Sequence, residues 1–187
     1  MHVKTERMIT GSISEERKTA ALDELRQATT EFLQLVRSFD DEVINTIPPR
    51  GGWTVAQVAE HVTLSNHGMI EVLRRRAPVA NRSIDEGEAR LKDIFLNFEK
   101  QLQSPDFIRP TREIYEPQIV IGALAASIED IVSTASMTNP DEVAQHAIFG
   151  EISKFEIVRF VTFHTQRHSH QLKKIAASLA HNATPHA

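Results

Sequence analysis

The stretch Ile157–Leu179, IVRFVTFHTQRHSHQLKKIAASL, decides how the chain folds. Ile157, Val161, Leu172, Ile175 and Leu179 fall at helical spacing, and His164 and His168 occupy two further positions of the same stripe. A helix with one apolar face must bury it against other elements, so other segments have to supply matching faces.

They do so along the whole chain. Ser153 and Glu156 make a capping-box pattern at the start of this last helix, after an irregular segment opened by Asn139-Pro140 and ended by Gly150. Pro117 suits the first position of a preceding helix with Ile121, Leu124, Ile128 and Ile131 on its inner face; Gly122, Ala123, Ala125 and Ala126 are expected to let neighbours approach closely. The turn Pro48-Pro49-Arg50-Gly51-Gly52 leads into Trp53 and into Thr54, which with Gln57 caps a helix carrying Val55, Val58, Val62, Met69 and Leu73 before Pro78. Trp53 and Val58 are expected to close a hydrophobic staple there. The first long helix is expected after Ser12, capped with Glu15, and carries Leu22, Leu25, Thr29, Phe32, Val36, Phe39 and Val43.

Between the second and third long helices, Ser83 and Glu86 repeat the capping pattern. Leu91, Phe95, Phe98 and Leu102 keep helical spacing, so a short helix from Ser83 to about Leu102 is expected, followed by a loop from Ser104-Pro105 to Pro110. No alternation of period two runs long enough for a strand. The expected fold is all-α: a four-helix bundle with long helices near 14–45, 54–76, 117–136 and 153–180.

Composition narrows the function. The 187 residues fit one domain, 1–187 with a core of about 14–180, and the net charge of -4 gives no reason to attract nucleic acid or an anionic membrane. There is no cysteine, so any metal must be held by nitrogen and oxygen. The first residues lack the apolar run of a signal peptide and no later segment reads as a bilayer span, so the cytoplasm is the expected location.

Two imidazoles four residues apart on an inward stripe sit on adjacent turns, near enough to share one ion, and burying them without partners would cost free energy. His61, on the margin of the second helix's stripe, is a third candidate; Ser65 and Gly68 on the same side leave room above it. On spacing alone, ligands and ordinary hydrogen-bonded histidines remain two open readings. Three imidazoles with an open fourth position would be the arrangement of a catalytic metal. His146 sits where a loop could cover the site, and Gln171 is one turn beyond His168. His67 and His170 point to other faces, and His2, His181 and His186 lie near the ends. Glu60, Asp130 and Glu156 show no pairing, so no general acid or base is assigned, and Arg74-Arg75-Arg76 reads as a solvated helix end.

Gly52-Trp53-Thr54-Val55-Ala56-Gln57-Val58-Ala59-Glu60-His61 and His164-Thr165-Gln166-Arg167-His168, with Gln171 beyond, resemble the two motifs of the DinB/YfiT-like metalloenzymes, and His146-Ala147-Ile148-Phe149-Gly150 is similar to their segment before the last helix. The resemblance covers about Ser14 to Leu179. It implies an up-down-down-up bundle, metal ligation by His61, His164 and His168, and zinc or nickel as the ion. Homodimerisation is a further implication. Characterised members transfer low-molecular-weight thiols such as bacillithiol to electrophiles, or use mycothiol in an isomerisation. Three functions follow as expectations: transfer of a low-molecular-weight thiol to a small-molecule electrophile, metal-dependent hydrolysis, or a non-catalytic helical binding or stress-response role with a structural or vestigial metal.

Overall fold

The computed structural model describes residues 2–183, with side chains described from 15 to 181. Five helices, α1 (His2–Arg37), α2 (Val55–Arg74), α3 (Glu88–Leu96), α4 (Pro117–Met137) and α5 (Lys154–Ala183), are joined by loops and by a two-stranded antiparallel ribbon of β1 (Val143–His146) and β2 (Gly150–Ser153).

Four long helices enclose two apolar clusters, and the clusters fix the direction of each helix. One cluster takes Leu22 and Leu25 of α1, Ile70 and Leu73 of α2, Ile131 of α4, and Ile157 and Val161 of α5. The other takes Phe32 and Val36, Val58 and Val62, Val120 and Leu124, and Leu172 and Ile175 from the same helices in order. The chain therefore passes from the first cluster to the second along α1 and α5 and from the second to the first along α2 and α4, which is an up-down-down-up bundle. α1 packs chiefly on α5 and α2 chiefly on α4. Because α2 and α4 run the same way, residues 75–116 must return along the length of the bundle, and α3 packs on α5 as part of that return.

Between the clusters lies a polar layer. Thr29, Asn66, Ser127 and Thr165, one from each long helix, are all fully or almost fully buried. Asn66 donates to Ser127 Oγ at 3.1 Å, Thr29 Oγ1 bonds back to Leu25 O at 2.8 Å, and the Thr165 hydroxyl has no protein partner. On α5, His164 and His168 flank Thr165 of this layer, and on α2 His61 lies between Val58 and Val62 of the second cluster.

The helix starts follow their caps. Thr54 and Gln57 form the reciprocal box at α2, reached through Gly51 and Gly52 at φ 76° and 97°, a left-handed turn that a side chain would strain. Ser153 and Glu156 do the same at α5, through Ser153 N–H to Glu156 Oε2 at 2.7 Å and Glu156 N–H to Ser153 Oγ at 3.0 Å. The Glu156 carboxylate also holds the loop before α3, accepting from Arg82 at 3.0 and 2.8 Å and from Gly87 N–H; a Cβ on Gly87 would lie 3.0 Å from Glu156 Oε1.

Several expectations are corrected. α1 begins at His2 rather than after Ser12, whose side chain lies outside the described residues, and ends at Arg37 rather than beyond Val43. Ser38 Oγ caps the Leu35 carbonyl at 2.7 Å and Asp40 O accepts from the amides of Val43 and Ile44, so the chain turns there while Phe39 still packs on the second cluster. The short helix spans only Glu88–Leu96, because Ser83 Oγ bonds the Asp85 carboxylate instead of capping with Glu86; Phe98 and Leu102 are exposed beyond it. Gly122, Ala123 and Ala126 of α4 face outward, not toward a neighbour. The segment expected to be irregular contains the ribbon, in register Val143↔Ser153 to His146↔Gly150. By length and composition α4 could cross a membrane, with a mean hydropathy of 1.5, contrary to the reading that no segment could; Ile, Val, Leu and Ala raise its hydropathy, and its Leu124–Ile131 side lies in the core.

Candidate metal centre

His61 projects from α2, and His164 and His168 from α5, into one point of the bundle. They are buried, at 3%, 5% and 7% exposure. His61 Nε2 lies 3.1 Å from His164 Nε2, and His168 Nε2 lies 3.1 Å from the same atom. One ring nitrogen from each of the three falls within 4.8 Å of the others, and no other such group of histidine, cysteine and carboxylate side chains occurs among the described residues.

Counting protons shows what these contacts need. The Ile108 carbonyl can only accept, so His61 Nδ1, at 2.8 Å from it, carries the proton. His168 Nδ1 likewise donates to Gln171 Oε1 at 2.8 Å. Burial lowers the proton affinity of all three rings: His61 falls below its ordinary value, His164 well below it, and His168 to about 3. In the neutral rings of His61 and His168 each Nε2 then presents a lone pair toward His164 Nε2, which has at most one proton to offer. At least one contact is therefore left without a hydrogen bond, and a cation among the three nitrogens would accept all three lone pairs once His164 is neutral with its proton on Nδ1. With metal–nitrogen bonds of roughly 2.0–2.1 Å, tetrahedral ligands lie about 3.3 Å apart, close to the contacts present. The residues fit a divalent ion that accepts three imidazoles.

The surroundings are aromatic on two sides. The Trp53 ring centroid lies 4.9 Å from that of His61; Phe160 stacks on His164 at 5.2 Å, and Phe95 meets it edge-on at 5.9 Å. Trp53 also packs on the cluster that contains Val58, its expected staple partner.

A strap formed by residues 97–116 was not singled out as part of the site in the sequence. It carries Ile108 in a 3-10 turn (Asp106–Ile108), and Ser104 Oγ lies 3.4 Å from His61 Nδ1. Two α2 side chains three residues apart hold it down: Gln57 donates to Arg112 O at 3.1 Å, and Glu60 accepts from Thr111 N–H at 2.9 Å and from the Tyr115 hydroxyl. Burial, with Glu60 beside it, pushes the Tyr115 hydroxyl up to about 12. From the other side Arg167 donates to the carbonyls of Phe95, Asn97 and Lys100. The only advance signals for these anchors were Glu60 adjoining His61 and Arg167 lying between the two α5 histidines.

The remaining expected residues are distributed as follows. Ser65 is buried one turn beyond His61, whereas Gly68 faces open space and does not roof the imidazole. His146 sits at the ribbon's tip, its Nδ1 accepting from Ile148 N–H at 3.2 Å and its ring stacked on Phe149, which in turn contacts Phe160; it is separated from the histidine group by these rings. His170 stacks on Phe98 at 4.1 Å, and His67 is exposed. The three carboxylates unpaired in the sequence all have partners: Glu60 in the strap, Asp130 with Arg74 at 2.5 Å, and Glu156 with Arg82.

Comparison with known proteins gives the same architecture. The curated protein YuaE of Bacillus subtilis (strain 168), described as uncharacterized, is 22% identical over 152 residues, spanning 80% of this chain and 93% of its own. TT2238, a four-helix bundle protein, superposes with a TM-score of 0.55 at 21% identity over 84% of this chain and 98% of its own. YfiT of Bacillus subtilis, described as a probable metal-dependent hydrolase with an unusual four-helix bundle topology, gives 0.58 at 16% identity over 89% and 90%. The DinB superfamily model matches residues 24–172, a span that contains His61, His164 and His168, and the chain belongs to the DinB superfamily.

Proposed function

We propose that the chain is a metal-dependent enzyme that transfers a low-molecular-weight thiol to an electrophile, with zinc or nickel held by His61, His164 and His168. The observation that carries the metal is the proton count: three buried neutral rings meet through their Nε2 atoms while two of the Nδ1 atoms are committed elsewhere. A divalent ion there would supply Lewis acidity, lowering the pKa of a thiol or water that reaches the open position.

The chain's own residues do the positioning. Ile108 O and Gln171 Oε1 fix the tautomers of His61 and His168, and Trp53, Phe95 and Phe160 limit the water around the rings. In the reaction proposed, the thiol proton leaves to solvent, the sulfur electron pair forms a bond to the electrophilic carbon, and the leaving group departs with its own pair.

Hydrolysis is the second reading, favoured by the likeness to YfiT. It calls for a base beside the attacking water, and no carboxylate joins the histidine group, since Glu60, Asp130 and Glu156 are engaged elsewhere. That favours the thiol. The test incubates zinc-loaded protein with a thiol and a chloronitroarene, and separately with an activated ester. Thioether formation that requires His168 supports thiol transfer; ester cleavage without thioether formation overturns it in favour of hydrolysis.

A further inference from the structure

Residues 101–110, the middle of the strap, differ from its two ends. The first end is fastened by Phe95 in the first cluster and by Arg167 on three carbonyls. The second is fastened by Tyr115 in the second cluster and by the reciprocal bonds between Asn45 and the Tyr115 backbone at 2.8 and 2.9 Å. Between them no residue is buried or belongs to either cluster, and Leu102 and Phe107 are 42% and 68% exposed. The segment is instead closed on itself. Arg109 Nε donates to Ser104 O at 3.1 Å, Arg109 pairs with Asp106 at 3.1 Å, and the amides of Ile108 and Arg109 donate to Pro105 O and Asp106 O. Among the described residues, every hydrogen bond that leaves it ends on the His61 ring, whose Nδ1 lies 2.8 Å from Ile108 O and 3.4 Å from Ser104 Oγ.

A loop with fixed ends, its own internal bonds and nothing buried opens as a unit at little cost. The other neighbours of the three rings are fixed in place: Phe95 and Phe160 lie in the first cluster, and Trp53 packs on the second. With the loop down, the histidines are only 3%, 5% and 7% exposed, so an ion and its fourth ligand need the loop to swing away. When an ion occupies Nε2 of His61, the ring proton sits on Nδ1, the atom that faces Ile108 O, and the charge of the ion strengthens that bond. Ion binding and loop closure therefore favour each other, by the same factor in either direction.

We propose that residues 101–110 are a lid on the histidine group with His61 as its latch, so that loading a divalent ion and closing the lid are one coupled event. The proposal rests on the metal reading of the group and is independent of the thiol chemistry. It separates His61 from His168, whose Nδ1 is held within α5 by Gln171. An ion on His168 orders one side chain, whereas an ion on His61 orders a ten-residue segment.

The lid carries its own protease site, since chymotrypsin cuts after an aromatic residue such as Phe107 once the segment opens. The full chain is digested with and without zinc, and cleavage between Phe107 and Ile108 is followed by mass. A free peptide of residues 101–114 digested alongside corrects for any action of zinc on the protease. Competition with a chelator measures zinc binding in the same samples. Zinc is expected to slow this cut about tenfold in the wild type, the size of one hydrogen bond strengthened by charge. It should give no protection in His168→Ala, which keeps the latch and loses a ligand. Arg109→Ala loosens the lid from within, and should quicken both the cut and the release of zinc to excess chelator by a similar factor, because both wait on the same opening. Zinc that binds without slowing the cut overturns the proposal. So does equal protection in His168→Ala, or an Arg109→Ala in which the cut quickens and zinc release does not. Failure of the wild type to take up zinc overturns the metal reading itself, a result read from the chelator competition before any digestion.

Discussion

His61 Nδ1–H donates to the Ile108 carbonyl at 2.8 Å, so the orientation of one candidate ligand depends on a loop 47 residues further along the chain. Glu60, the residue before it, holds the same loop through Thr111 and Tyr115. Tyr115→Phe removes the hydroxyl that donates to Glu60 and accepts from Arg112 N–H at 3.0 Å. The expected cost is about 1.5 kcal/mol, at the low end for a bond to a charged group because Glu60 is only half-buried. Urea unfolding measures it, and amide hydrogen exchange should quicken in residues 104–116.

Gln171 fixes His168 from the opposite side. Gln171→Ala frees the imidazole to rotate and change tautomer, and metal affinity should fall about 10- to 100-fold, as for other residues that orient a ligand histidine. Competition with a chelator reads this directly. Trp53, the single tryptophan and in contact with His61, supplies a fluorescence signal for the same titration.

His164→Ala or His168→Ala should abolish metal retention through gel filtration. His170→Ala should leave it unchanged, since that ring stacks on Phe98 outside the group. Elemental analysis of the three purified variants checks the contrast. Retention by His168→Ala together with loss in His170→Ala would mean that the wrong α5 histidine has been assigned.

Glu156 makes stability depend on pH. Burial alone would raise its pKa, but the hydrogen bonds from Arg82 and from the amides of Ser153 and Gly87 outweigh burial and hold it below the ordinary carboxylate range. The native state therefore binds fewer protons than the unfolded state in the window between its lowered pKa and the ordinary one. Its stabilisation is complete above the ordinary value and is lost as pH falls through the lowered one. Glu156→Gln should cost about 3 kcal/mol at pH 7 by leaving Arg82 poorly paired, and should flatten the acid limb of urea midpoint against pH.

The parts of this structure legible in the sequence are those written in helical period. The α5 stripe placed His164 and His168 inward because Ile157, Val161, Leu172 and Ile175 bracket them, and the caps at Thr54 and Ser153 marked where two helices start. Period misled where apolar residues kept their spacing after the chain had left the helix, as at Phe39, or where small residues on α4 turned outward. The four-residue strands are too short to display alternation. The strap could not be read at all, because its hold on the site runs through the backbone carbonyl of Ile108, which any residue type would supply.

X-ray diffraction from crystals of zinc-loaded protein, collected on both sides of the zinc absorption edge, decides whether the three histidines form a metal centre. The expected result is one anomalous peak bonded to Nε2 of His61, His164 and His168 at roughly 2.0–2.1 Å, with a non-protein ligand in the fourth position. A zinc ion held elsewhere, or three rings that turn away from one another with no peak among them, would contradict it.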